Sequence, residues 1–95
     1  MSKQIVLVKL ITGEEIIGSF VEDVNSQLVM LEQVLKIVFT GRELAITSFF
    51  ASHPEHTGTI PFMREHILAI VSPPEHMLKA YVQQTSGLDL SLANL

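Results

Sequence analysis

The sequence predicts a mainly β protein: a small, strongly bent antiparallel barrel of about five strands, followed by one C-terminal helix and with no helix before the first strand. Three observations carry that expectation. Apolar residues alternate through two consecutive segments joined at Thr12-Gly13. A glycine, Gly18, sits inside the second segment, where a missing side chain lets a strand bend and a small sheet curl. Turn chemistry then recurs at short intervals as far as Ser72-Pro73-Pro74-Glu75, which reads as a helix start.

The first hairpin places Val6, Val8 and Leu10 on one face of an extended segment and Ile16, Gly18 and Phe20 on one face of the next. Glu22-Asp23-Val24-Asn25-Ser26 is a turn, because Asp, Asn and Ser side chains bond their own backbone. A long strand follows from Gln27 to Phe39, interrupted only by Glu32-Gln33 and Lys36, and the polar interruption is where it should bend. Thr40-Gly41-Arg42-Glu43 is the next turn, and Leu44 to Phe50 the next strand. Ala51 to Gly58 carries Pro, Gly, Ser and two histidines and reads as an inserted loop. Thr59 to Phe62 resumes as a short strand whose Pro61 requires an edge or bulge position; Met63-Arg64-Glu65 turns the chain, and His66 to Val71 is the last strand.

The helix is expected to start with Ser72 as N-cap, Pro73 at the first helical position and Glu75 completing a capping box, and to run to about Thr85 with Gly87 as its stop. Met77, Leu78, Tyr81 and Val82 form its apolar stripe. The leucines of the tail, from Leu88 to Leu95, fit both strand and helix spacing. The expected division is therefore a barrel over residues 1–73, with its loop at about 51–58, and a helix with an apolar tail over 74–95.

Composition narrows the function. The 95 residues make one small domain with 47% hydrophobic residues and a mean hydropathy of +0.39, more apolar than so short a chain buries alone, so part of this surface is expected to face other subunits. The net charge of −4 rests on six scattered cations, Lys3, Lys9, Lys36, Arg42, Arg64 and Lys79, which opposes a broad nucleic-acid-binding surface but leaves room for a focused site. Without cysteine there is no disulfide framework or thiolate chemistry. No signal-peptide block or membrane-length apolar run is present, so a cytoplasmic protein without a membrane partner is expected.

The pattern Val8-x-Leu10-x-x-Gly13-x-x-Ile16-x-Gly18-x-Phe20, followed by Asp23, resembles the first motif of the Sm and Sm-like (Lsm) family. Met63-Arg64-Glu65-His66-Ile67-Leu68-Ala69-Ile70-Val71-Ser72-Pro73 is similar to the second motif as found in the bacterial, Hfq-like branch, with His66 seven residues before Pro73, although Glu65 stands where that branch has a lysine and Asp23 comes one position early. The resemblance spans about Val6 to Pro73, and the placement of the helix after the last strand is most similar to small phage-encoded members, including those of cyanophages. It implies a bent five-stranded barrel whose fourth strand pairs with the fifth strand of a neighbour, closing homo-oligomeric rings of about five to seven subunits.

The resemblance also implies a pore site for single-stranded RNA on the turn between the second and third strands and on the turn before the last strand. Carried over by position, the contacts are Asn25, Gln27, Arg64 and His66. Gln27 keeps the amide donor and acceptor of the family's asparagine but adds a flexible methylene, and Ser26 stands where a stacking residue is expected. Asp23 caps or orients its own turn; together with Glu65 it would give a pore an acidic lining that repels phosphate. A ring serving protein interaction without nucleic acid is therefore the competing reading.

Other clusters are weaker. His53-Pro54-Glu55-His56 offers three ligands without a fourth, so no metal or cofactor is expected. No glycine-flanked serine, phosphate loop or poised carboxylate pair is present, and no enzyme is expected.

Overall fold

The computed structural model describes residues 4–21, 27–50, 52–53 and 58–93, with side chains described up to Thr85. The elements are β1 (Ile5–Leu10), β2 (Glu15–Val21), β3 (Leu28–Phe39), β4 (Leu44–Ser48), β5 (Thr59–Met63), a 3-10 turn (Arg64–His66), β6 (Ile67–Val71) and the helix α1 (Glu75–Ala93). No helix precedes β1 among the described residues.

The strands form one antiparallel sheet in the order β4-β3-β2-β1-β6, with β5 also paired to β3. β3 holds two partners along one edge: Leu28 to Glu32 face β5, and Leu35 to Phe39 face β4. Among the described residues the sheet thus has six strands and is not closed, where the sequence predicted a five-stranded barrel, and β5 and β6 share no ladder.

It is nevertheless strongly curled. In the pairing order β5-β3-β2-β1-β6 a flat sheet would set β5 and β6 about 19 Å apart. The three residues of the 3-10 turn let Met63 and Ile67 be separated by about 14 Å at most. Backbone bonds fix the turn at both sides: the Arg64 N–H donates to the Gln27 carbonyl at 2.9 Å, and the Ile11 N–H donates to the His66 carbonyl at 2.9 Å.

The bend lies where the polar interruption of β3 predicts it. Gln33 has φ +52°, and the register against β2 slips by one residue between Ile17–Leu35 and Ser19–Glu32. Gly18 faces this bulge: a Cβ there would lie 3.3 Å from Val34 Cγ2 and 3.4 Å from the Glu32 carbonyl oxygen. Its role is close approach of two strands. Gly13, at φ +97°, supplies the left-handed residue of the β1–β2 turn.

Both faces of the sheet are apolar. The inner face gathers Val6, Val8, Leu10, Ile16, Val29, Leu31 and Val34, joined by Phe62 from β5 and Ile67 from β6. The opposite face, with Ile17 and Ile37 at its centre and Ile5, Leu7, Leu35 and Ile46 around them, is covered by Met77 and Tyr81 of α1. Alternation along β1 divides its residues between the two cores.

The helix corrects two expectations. It starts at Glu75, and the Pro74 carbonyl accepts from the N–H groups of Met77 and Leu78 at 3.0 and 2.9 Å, so Pro74 and not Ser72 is the N-cap. Ser72 and Pro73 each precede a proline, which disfavours helical dihedrals at both. The helix also passes Thr85 and Gly87 and continues to Ala93; one internal glycine costs only about 1 kcal/mol. Of the predicted stripe, Met77 and Tyr81 are buried, Leu78 is half-buried and Val82 is exposed.

Candidate nucleic-acid interface

The curl brings two turns that are distant in sequence to the same end of the sheet. The turn before β3 ends at Gln27, and the chain leaves β5 at Met63; Leu28 pairs with Met63, and the Arg64 N–H bond to Gln27 extends that contact by one step. Gln27, Met63, Arg64 and Glu65 line an open cleft of about 590 Å³. Two of the residues expected to contact RNA, Gln27 and Arg64, are therefore neighbours. Asn25 lies outside the described residues, as do Asp23 and Ser26.

His66 is placed differently. The expectation grouped it with Arg64, but its carbonyl accepts from the Ile11 N–H at 2.9 Å, which ties it to the β1–β2 hairpin, and His66 instead lines a second cleft of about 390 Å³ with Thr12, Glu14, Phe62 and Met63. It belongs to the 3-10 turn and not to the last strand, which starts at Ile67. Met63 lines both clefts, so the two share a wall.

The chemistry of the first cleft is mixed. It offers a guanidinium for phosphate, an amide with donor and acceptor for a base edge, and the thioether of Met63 as an apolar contact. Glu65, exposed in the same turn, adds a carboxylate to the cleft that holds Arg64 and reduces the attraction for phosphate.

The second cleft has a rigid rim. Leu10 N–H donates to the Glu14 carbonyl at 2.8 Å and Gly13 N–H to the Leu10 carbonyl at 2.9 Å, so the hairpin tip is held by its own backbone. The Thr12 hydroxyl donates to Glu14 Oε1 at 3.3 Å, and Lys36 Nζ lies 3.9 Å from Glu14 Oε2. Sequence reasoning passed over Thr12 and Glu14, whose position in a turn is explained by solvation; only the curl sets them opposite the residues of β5.

His53 is exposed and lines a third, apolar cleft of about 360 Å³ with Phe50, Thr59, Ile60 and Pro61; Glu55 and His56 lie outside the described residues. Among the described residues no group of three or more His, Cys, Asp and Glu side chains is arranged to hold a metal ion. Among them, too, no helix is long and apolar enough to cross a membrane.

Neither a model of a known protein family nor a curated protein matches the chain.

Proposed function

We propose that the chain is an Sm-like subunit that closes into a homo-oligomeric ring and binds single-stranded RNA where the turn before β3 meets the turn before β6. The observation that carries this reading is the Arg64 N–H bond to the Gln27 carbonyl, which sets a cation and an amide side by side in one open cleft from two separate turns. Arg64 meets phosphate, Gln27 and Asn25 meet base edges, and His66 meets the strand from the neighbouring cleft.

Ring closure is supported by the outer strands. On β6, Leu68 is 65% exposed, and Ile70 and Val71 are exposed as well; beside β4, Phe39 is 69% exposed and Leu44 is exposed. Apolar outer strands with an unpaired edge associate with further strands unless a partner covers them. Pairing the β4 edge of one copy with the β6 edge of the next covers both, and repeating that heterologous contact closes a ring.

The test is a titration of short U-rich and A-rich RNAs against the purified protein by fluorescence anisotropy at low and moderate salt. Binding weakens severalfold in Arg64→Ala, and the slope of log affinity on log salt falls by about 1; His66→Ala weakens binding as well. Absence of binding to RNA of any base composition at low salt sinks the RNA reading.

One observation favours a second reading, a ring that binds protein and no nucleic acid: Glu65 shares the cleft with Arg64 in a chain of net charge −4. The same titration separates the two, and sedimentation mass tests the ring itself.

A further inference from the structure

We infer that the cleft between the β1–β2 hairpin tip and the 3-10 turn is a base-specific subsite that takes guanine. This inference rests on the RNA reading above and names the base that reading leaves open. The cleft, at about 390 Å³, falls in the lower part of the size range of small-ligand pockets, about 300–1,000 Å³. Its apolar lining is Leu10, Pro61, Phe62 and two residues that a single chain leaves well exposed, Ile11 at 53% and Met63 at 47%. A planar base covers such a surface, and a phosphate does not.

The polar rim selects among bases. Glu14 brings the one carboxylate of the cleft, held on a hairpin tip fixed by backbone bonds, with its side chain 50% exposed. An ionised carboxylate only accepts hydrogen bonds. It therefore pairs with a base edge that presents two adjacent donors, which guanine does through N1–H and its exocyclic amine. Adenine, cytosine and uracil each set an acceptor beside their donor on that edge. A cationic guest is disfavoured because Lys36 Nζ already lies 3.9 Å from Glu14 Oε2 and offsets its charge. The Thr12 hydroxyl, 3.3 Å from Glu14 Oε1, orients the carboxylate.

The position fits a strand. Met63 is the wall common to this cleft and to the one holding Arg64, so a nucleotide with its phosphate at the guanidinium directs its base across Met63 towards Glu14 and His66.

The test compares RNAs of equal length that are A-only, U-only, G-containing or inosine-containing by fluorescence anisotropy, with the wild-type protein and Glu14→Gln. In the wild type the G-containing RNA binds about tenfold more tightly than the A-only RNA, and inosine, which lacks the exocyclic amine, loses most of that gain. In Glu14→Gln the ratio of G to A affinity falls to about one, because the amide places a donor against a donor; a thermal melt shows that this turn variant is folded. A wild-type ratio near one with A-only and U-only RNA still bound overturns the guanine subsite and leaves the RNA reading standing. A ratio unchanged by Glu14→Gln overturns it as well. Failure of the wild type to bind any of the four RNAs overturns both.

Discussion

The phenol of Tyr81 donates a hydrogen bond to the main-chain carbonyl of Gln33 at 2.8 Å, across 48 residues of sequence. Gln33 is the left-handed residue at the bend of β3, and neither it nor Val34 has a partner in the ladders to β2, β4 or β5. The helix thus supplies the bond that the bend takes from the sheet. Since the single phenolic proton is committed to that carbonyl, the Ser19 hydroxyl, 3.2 Å away, donates to the Tyr81 oxygen.

Replacing Tyr81 with Phe keeps the ring in the second core and leaves the Gln33 carbonyl without this donor. The expected loss is about 1–3 kcal/mol, read as a lower urea midpoint at unchanged slope. Ser19→Ala, which removes only the bond to the phenol, costs about 0.5–1.5 kcal/mol. A Tyr81→Phe protein as stable as the wild type would show that the bond does not hold the bend.

The same residue makes stability depend on alkaline pH. Burial raises the Tyr81 phenol above its ordinary 10.0, opposed by the smaller lowering effect of the Ser19 bond. The folded chain therefore holds this proton more tightly than the unfolded chain. Below pH 10.0 the contribution is complete; as pH rises from there through the higher folded value, the unfolded state ionises first and stability declines. Urea midpoints measured between pH 8 and pH 11 fall more steeply in the wild type than in Tyr81→Phe, and equal slopes contradict the assignment.

Gly18 and Gly13 respond to alanine for different reasons. At Gly18 the new methyl presses on Val34 Cγ2, the Glu32 carbonyl oxygen and Leu31 Cβ, at 3.3, 3.4 and 3.5 Å, and the cost is about 1–3 kcal/mol. At Gly13 nothing lies within 4 Å, and the cost comes from φ +97° alone, about 1 kcal/mol or more. Double-mutant cycles separate the two: Val34→Ala lessens the penalty of Gly18→Ala and leaves that of Gly13→Ala unchanged.

Leu68→Glu places a charge on the outer strand that the ring reading pairs with a neighbour. Because Leu68 is exposed in the single chain, the fold tolerates the change, while the mass measured by light scattering drops towards that of one chain. A wild type that is already monomeric removes the ring from consideration.

Much of the sheet was legible because its signals are local. Val6, Val8 and Leu10 share a face by simple alternation, Gly13 marks its turn, and Glu32-Gln33 interrupts β3 at the bend. The second core was hidden in the same strands. Ile5, Leu7 and Ile17 occupy positions that alternation gives to solvent, and the bulge at Gln33 turns Leu35 and Ile37, which alternation places with Val29 and Leu31, to that same face; all five are apolar because α1 lies over them. Periodicity found the stripe of α1, not its target. At the candidate site, the nearness of Gln27 and Arg64 followed from the family resemblance; no spacing in the chain encodes it. The separation of His66 from Arg64 arises because the two ends of the three-residue turn are bonded to different parts of the sheet, Arg64 to Gln27 and His66 to Ile11, a geometry that a strand assignment for His66 conceals.

The handover of β3 from one partner to another has a consequence for how this chain tolerates change. Ser48 sits opposite Leu35 and Thr59 opposite Glu32, so the excursion from residue 49 to residue 58 departs from and rejoins neighbouring rungs. Past Phe49, which packs on the inner core with its ring centroid 5.6 Å from that of Phe62, such a detour resembles a socket on a rail: its contents can be lengthened, shortened or exchanged while every rung on either side keeps its place. New surface chemistry can be grafted at that junction without disturbing the curl that creates the clefts.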